Sequence, residues 1–291
     1  MAKQTAITVR LLGGIGNQMF QYAAAWSLAQ RQGSQLLLDI VDFSDFDDRN
    51  YDLHVFPNVT ESFCSVEQHK MLISKSLLAK SLRAIKKSKV YNEPHHHLDP
   101  DFFSLSAPIY LNGYFQSESY FIKYADEIRN KFKWDENRLS STTRSYYSKL
   151  KQGMAISVHF RRGDYVNDQK TNDVHGTCDL AYYRNAIAMV TNRFPDSHFF
   201  VFSDDIPWVK SVKVFERLEH TYVDKSEDMH DSEEMFLMSQ CEHNIVANSS
   251  FSWWGAWLNN NSQKLVIAPK NWFRSTELNT KDVIPSSWLT I

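Results

Sequence analysis

The sequence predicts an α/β protein with parallel sheets in two successive halves. Three observations carry this expectation. Short β-favouring runs end in glycine or polar residues, segments of helical spacing follow them, and a polar stretch at 140–151 separates the two series.

The run Ile7-Thr8-Val9-Arg10-Leu11-Leu12 favours a strand and stops at Gly13-Gly14-Ile15-Gly16. Asn17 is placed to cap a helix carrying Phe20, Ala23, Ala24 and Leu28, and Gly33 stops it. Leu36-Leu37-Leu38-Asp39 reads as a second buried strand, completing a β-α-β unit with a right-handed crossover. Residues 60–150 read as mostly helical, and the basic stretch at 83–89 suits a solvated helix face. Ser, Thr and Lys then dominate 140–151, which places the boundary between domains 1–150 and 151–291.

The second half alternates again. Strands are expected at 155–158, 198–202, 244–247 and 265–268, with helices at 182–194 and 252–258. Asp231 with Glu234 forms a variant capping box for a further helix running to Gln240. The alternation in both halves predicts two facing Rossmann-like domains.

The bulk composition narrows the function classes. Of 291 residues, 43% are hydrophobic and 23% charged, which excludes a disordered or fibrous chain. A formal net charge of -2 gives no reason to expect nucleic acid. Cys64, Cys178 and Cys241 lie far apart, against a disulfide framework or zinc site and in keeping with a reducing cytosol. No stretch approaches the roughly 20 apolar residues of a spanning helix, and no signal peptide is evident. The expectation is a cytoplasmic chain, peripheral at most on the inner face of a membrane where its acceptor is assembled.

Four segments at expected strand ends carry chemistry. In His159-Phe160-Arg161-Arg162-Gly163-Asp164-Tyr165 the two guanidiniums offer planar forks suited to a diphosphate. They are equally suited to pairing with nearby acids such as Asp164. The loop Gly13-Gly14-Ile15-Gly16-Asn17-Gln18 lets backbone approach an anion at a helix start. It lacks the third glycine of a nicotinamide fingerprint, since position 19 is Met19. Asp204 and Asp205 present carboxylates for a base or ribose, or a helix cap ahead of Pro207. Ser249 and Ser250 open a segment with Trp253, Trp254 and Trp257, where serines cap or bind phosphate and tryptophans pack a core or stack on sugar.

Two other features invite functional readings. His95-His96-His97, near Asp99 and Asp101, suit an exposed loop better than a metal, because consecutive side chains diverge. Cys178 beside Asp179 lacks an orienting partner nearby and suits an inert thiol.

Taken together these motifs resemble the bacterial α-1,2-fucosyltransferases of glycosyltransferase family 11. The resemblance runs through 13–22, Leu111-Asn112-Gly113-Tyr114-Phe115-Gln116-Ser117-Glu118, 159–165, 203–205, 248–257 and 285–291. It implies a GT-B fold with the acceptor side in 1–150 and the donor side in 151–291. It further implies GDP-β-L-fucose as donor, a galactose-terminated glycan as acceptor, inversion, and no metal or cofactor. By the same resemblance Arg161 holds the β-phosphate, with Arg162 beside it, and Asp204 or Asp205 reads guanine or ribose. Ser249, Ser250 and Phe251 line the diphosphate pocket, while Gly14, Gly16 and Asn17 approach the reacting centre. Asp164 and His159 are the nearby candidates for a general base, and Tyr114 and Gln116 are placed toward the acceptor. O-antigen or lipopolysaccharide biosynthesis is the implied setting. Two competing classes are an NAD-dependent oxidoreductase using the Gly14 loop with Asp39, and a non-catalytic glycan-binding protein using the tryptophans.

Overall fold

The computed structural model describes residues 5–45, 49–74, 76–77, 80–81, 84, 88–163, 173, 176–275 and 278–291. The chain divides into two units, Met1–Trp134 with Lys281–Val283, and Asp135–Thr280 with Ile284–Ile291.

The first unit holds a five-stranded sheet in the order β3-β2-β1-β5-β4, with every pair parallel. These strands are β1 (Ala6–Arg10), β2 (Gln35–Asp39), β3 (Ser62–Phe63), β4 (Lys89–Asn92) and β5 (Ile109–Asn112). β1 is central and buried because Ile7 and Val9 pack inside while both neighbours cover its backbone. The helix Ile15–Gln32 follows, and its run of alanines with Met19, Phe20 and Tyr22 is buried. Gly33, at φ 60°, closes that helix in the left-handed conformation that glycine reaches without strain.

The second unit carries a six-stranded parallel sheet in the order β11-β10-β9-β6-β7-β8. Its strands are β6 (Met154–Phe160), β7 (Ser197–Ser203), β8 (His220–Tyr222), β9 (His243–Ile245), β10 (Val266–Ala268) and β11 (Leu289–Thr290). On one face Ile156, Val158 and Phe160 pack with Phe199 and Val201 against Tyr182, Tyr183 and Ile187 of the helix Leu180–Arg193. On the other face Asn244 Nδ2 donates both to Ser157 Oγ at 2.7 Å and to Met238 O at 2.8 Å, tying the sheet to the helix Asp231–Ser239. That helix meets the helix Ser250–Trp257 at Gly255, where a Cβ would lie 2.8 Å from Met238 Cβ.

Several expectations are corrected. Residues 60–150 hold β3, β4 and β5 as well as helices, because strands of two to four residues are too short to show a period. The basic stretch at 83–89 lies mostly outside the described residues. The division falls between Trp134 and Asp135, ahead of the polar stretch, and the helix Ser141–Leu150 belongs to the second unit. Its cap explains why: Ser140 N and Oγ both donate to Glu233, at 3.0 and 2.7 Å. The helix start at Asp231 is capped by His230, which accepts from Ser232 N, instead of by an Asp231–Glu234 box. Among the described residues no helix is long and apolar enough to cross a membrane.

Candidate functional site

In the second unit β6 and β7 end in register, Phe160 opposite Ser203, so the residues beyond both strands emerge side by side. Arg161 Nη1 lies 3.0 Å from Asp204 Oδ2, and Arg162 N donates to Asp204 Oδ1 at 2.9 Å. Arg162 Nε donates to Asp205 Oδ2 at 3.3 Å, and its guanidinium lies 3.6 Å over the Trp208 ring. Asp205 Oδ1 accepts from Trp208 N at 3.1 Å, so it also caps the short helix Ile206–Ser211. The acids that pair with the two arginines are therefore Asp204 and Asp205, more than forty residues away. Asp164 and Tyr165 lie outside the described residues. Gly163 is held tightly, since a Cβ there would fall 2.6 Å from Asp204 Oδ2. Arg161 keeps 27% of its side chain exposed, so its five-donor fork is within reach of an anion from solvent.

β9 neighbours β6, and the chain leaving it reaches the helix Ser250–Trp257 beside the same strand end. Ser249 caps this helix through Phe251 N at 3.3 Å, and the Phe251 ring sits 5.9 Å from that of His159. The first turn thus places backbone N–H groups and the positive end of the helix next to the strand carrying Arg161. Asn248, buried, donates to Gly176 O and Trp272 O and accepts from Cys178 Sγ. Burial pushes the Cys178 thiol up to about 11, which leaves it inert. The three tryptophans of the helix are buried, and that places them in the core.

His159 is buried, and burial together with Arg161 lowers its imidazole to about 3. A ring held neutral by burial is a weaker proton acceptor than an exposed imidazole, which counts against His159 as a general base. The shift has a stability consequence. The unfolded imidazole titrates near 6.5, so stability is complete above that pH and is lost as pH falls from 6.5 toward 3. The urea midpoint of the wild type should therefore drop toward that of His159→Phe between pH 7.5 and 5. A gap that stays constant across this range would contradict the burial of His159.

In the first unit the glycine loop follows β1. Gly13 sits at φ 72°, and a Cβ there would meet Asn17 Nδ2 at 2.7 Å, so both conformation and space require glycine. The helix is capped by Gly14, with no side-chain bond, and Gly16 is buried in its first turn. Asn17 is thus the third helical residue and not the cap, and its Oδ1 accepts from Gln116 Nε2 at 2.8 Å. Gln18 holds the loop, donating to Gly13 O and Asn50 O and accepting from Asp52 N.

Asp39 is 1% exposed. Its Oδ2 lies 2.8 Å from His69 Nδ1 and accepts from the Tyr110 hydroxyl at 2.7 Å, while Oδ1 accepts from Val41 N. A carboxylate enclosed in this way has no face for a ribose, which removes the anchor of the nicotinamide alternative. Tyr114 is 39% exposed and lines a cavity with His95 and His96, and the rings of His95 and His97 stack at 4.7 Å. Glu93 and Trp208 were not among the expected site residues. The proline-aromatic pair Pro207-Trp208, two residues beyond Asp205, is the available signal for Trp208, and nothing local points to Glu93.

The profile described as Glycosyl transferase family 11 matches residues 1–291. The Escherichia coli alpha-1,2-colitosyltransferase is 34% identical over 98% of this chain and 98% of its own. The O-antigen biosynthesis glycosyltransferase WbnK of Escherichia coli is 29% identical over 97% and 99%. Human galactoside alpha-(1,2)-fucosyltransferase 1 is 25% identical over 86% of this chain and 65% of its own. Among solved structures, Arabidopsis thaliana FUT1 superposes with a TM-score of 0.57 at 13% identity, covering 93% of this chain and 72% of that one. Fucosyltransferase NodZ from Bradyrhizobium gives 0.50 at 17% identity, covering 87% and 93%. These likenesses fix the fold as two parallel-sheet α/β domains of the GT-B type.

Proposed function

We propose that this chain, which belongs to glycosyl transferase family 11, moves L-fucose from GDP-β-L-fucose to O2 of a terminal β-galactose, with inversion and without a metal. The observation that carries the reading is the pair of arginines at the end of β6, beside the start of the helix Ser250–Trp257. Supporting it are the α-1,2 linkage in the name of the colitosyl relative and the galactoside acceptor in that of the human relative.

In this reading the bond from the sugar's C1 to the β-phosphate oxygen breaks as C1 bonds the acceptor oxygen on the opposite face. Negative charge grows on the departing GDP, and Arg161 meets it with a fork suited to phosphate. Arg162, stacked on Trp208, holds the strand end, and Ser249, Ser250 and Phe251 add the helix-start donors. Asp204 positions Arg161, while Asp205, the more exposed of the two acids, is the one we assign to guanine or ribose. By resemblance to the family, Gly14, Gly16 and Asn17 are assigned to the donor as well, as sources of backbone and amide hydrogen bonds. The hydroxyl proton passes to Asp164, which we assign as the base in preference to the buried His159. Acceptors of this kind arise in O-antigen or lipopolysaccharide assembly, at the cytoplasmic face of a membrane.

A second donor is favoured by one observation, the name of the 34% relative. Colitose lacks the 3-hydroxyl of fucose, so GDP-colitose is the direct competitor. A thermal-shift series with EDTA present separates the classes: GDP should raise the melting temperature and UDP should not. Transfer to lactose from each GDP-sugar, with the linkage read by NMR, then identifies the donor. An equal response to GDP and UDP would remove the guanine assignment.

A further inference from the structure

The carboxyl edge of the first sheet holds a cavity of about 250 Å³, immediately after β1 at Leu12. Its polar wall is formed by Asn92, Glu93, His95, His96, Asn112 and Tyr114. Parallel register sets Asn92 opposite Asn112, and Asn112 Nδ2 donates to Asn92 Oδ1 at 2.8 Å, so two amides meet at the rim. Among the described residues that line it none is lysine or arginine, and Arg10, which donates to Asn112 Oδ1 at 3.3 Å, is paired with Asp42, so the wall is poor for phosphate. It instead combines an exposed aromatic ring with planar groups that both donate and accept, the chemistry that grips a sugar's C–H face and hydroxyls. The volume, just below the range of about 300–1,000 Å³ usual for ligand sites, suits one pyranose ring better than a nucleotide.

The wall is also braced. Glu93 Oε2 accepts from Tyr114 N at 2.6 Å and from Phe115 N at 3.1 Å. Gly113 is required beneath it, since a Cβ there would meet Glu93 Cβ at 2.4 Å. Phe115 is held at φ 52°, unusual for a residue with a side chain, and its buried ring packs against Phe102 and Tyr120. A strained residue fixed by a carboxylate on one side and by aromatic rings on the other marks a loop whose shape is over-determined. The same loop continues to Gln116, which donates to Asn17 in the glycine loop.

We propose that this cavity is a saccharide subsite for the acceptor, with Tyr114 as its stacking platform and Glu93 as the positioning residue that sets the 113–116 loop. The proposal rests on the glycosyltransferase reading above. Burial lifts the Glu93 carboxyl to about 7 against the pull of the two amides, so Glu93→Gln imitates the neutral acid and retains an oxygen acceptor.

The test is saturation-transfer NMR on the full chain with lactose, Gal-β-1,3-GalNAc and Gal-β-1,3-GlcNAc, using GDP-dependent stabilisation to confirm folding. Tyr114→Ala should weaken binding of the preferred disaccharide about tenfold, the scale of one lost stacking contact. Glu93→Ala should weaken it similarly and raise the acceptor KM more than it lowers kcat, while Glu93→Gln should restore most of the affinity. Wild-type affinity in both alanine variants, or no disaccharide signal on the wild type at millimolar concentration, would overturn the subsite. Failure of the parent reading looks different: disaccharide binding that Tyr114→Ala removes, without transfer from any GDP-sugar, leaves the subsite standing and removes the reaction.

Discussion

Arg161→Ala should lower kcat with GDP-fucose by about 100- to 1,000-fold, the usual cost of removing one donor aimed at developing negative charge. Stability should barely move. The Arg161–Asp204 pair is partly exposed, and pairs of this kind contribute about 0–1 kcal/mol. Asp204 would also keep its bond from Arg162 N. A salt bridge that merely fastened β6 to β7 would behave otherwise, shifting the urea midpoint while sparing turnover. Arg161→Lys divides the two roles further. Lysine keeps the charge but loses the planar fork, so it should recover stability fully and activity only partly. The measurement is kcat and KM for the donor beside urea unfolding on the same preparations. Near-wild-type turnover in Arg161→Ala would end the leaving-group assignment.

What the sequence disclosed follows the distance between the residues involved. The ends of β6 and β7 were readable because an apolar run followed at once by charged residues is a local pattern. The pairing across those ends was not. Arg161 and Arg162 meet Asp204 and Asp205 only through the register Phe160↔Ser203, so the acid nearest in sequence, Asp164, was the one on offer. Cap identity failed for a related reason. Asn17 has the right chemistry, but a left-handed Gly13 starts the helix earlier and frees that amide for Gln116. β4 and β5 were missed because four residues carry no usable period, and with them went the register that brings Asn92 and Glu93 to Gly113 and Tyr114. Asp39 shows the converse error. A carboxylate at the end of the second strand matches the nicotinamide pattern, yet His69 and Tyr110, from distant segments, enclose it.

The second large effect should come from Trp253→Ala, and it falls on stability. Trp253 is 0% exposed and lies 5.0 Å from Trp254, 5.5 Å from Trp288 and 6.1 Å from Trp257, measured between ring centroids. Deleting an indole from such a cluster leaves a cavity that rigid neighbours cannot fill, at a cost of about 3–5 kcal/mol. For a unit of this size that corresponds to a fall in melting temperature of roughly 6–20 °C, at about 2–4 °C per kcal/mol. Trp253→Phe keeps much of the apolar volume and should lose clearly less. The comparison also decides against the glycan-binding alternative. Tryptophans that served as a sugar platform would be exposed, and Trp253→Ala would then lower glycan affinity at constant melting temperature. Here the order should reverse, with the melting temperature falling first. The GDP response should weaken with it, because the Trp cluster anchors the helix whose first turn, at Ser250 and Phe251, stands beside the end of β6. A Trp253→Ala protein that melts within a degree or two of wild type would refute the core assignment.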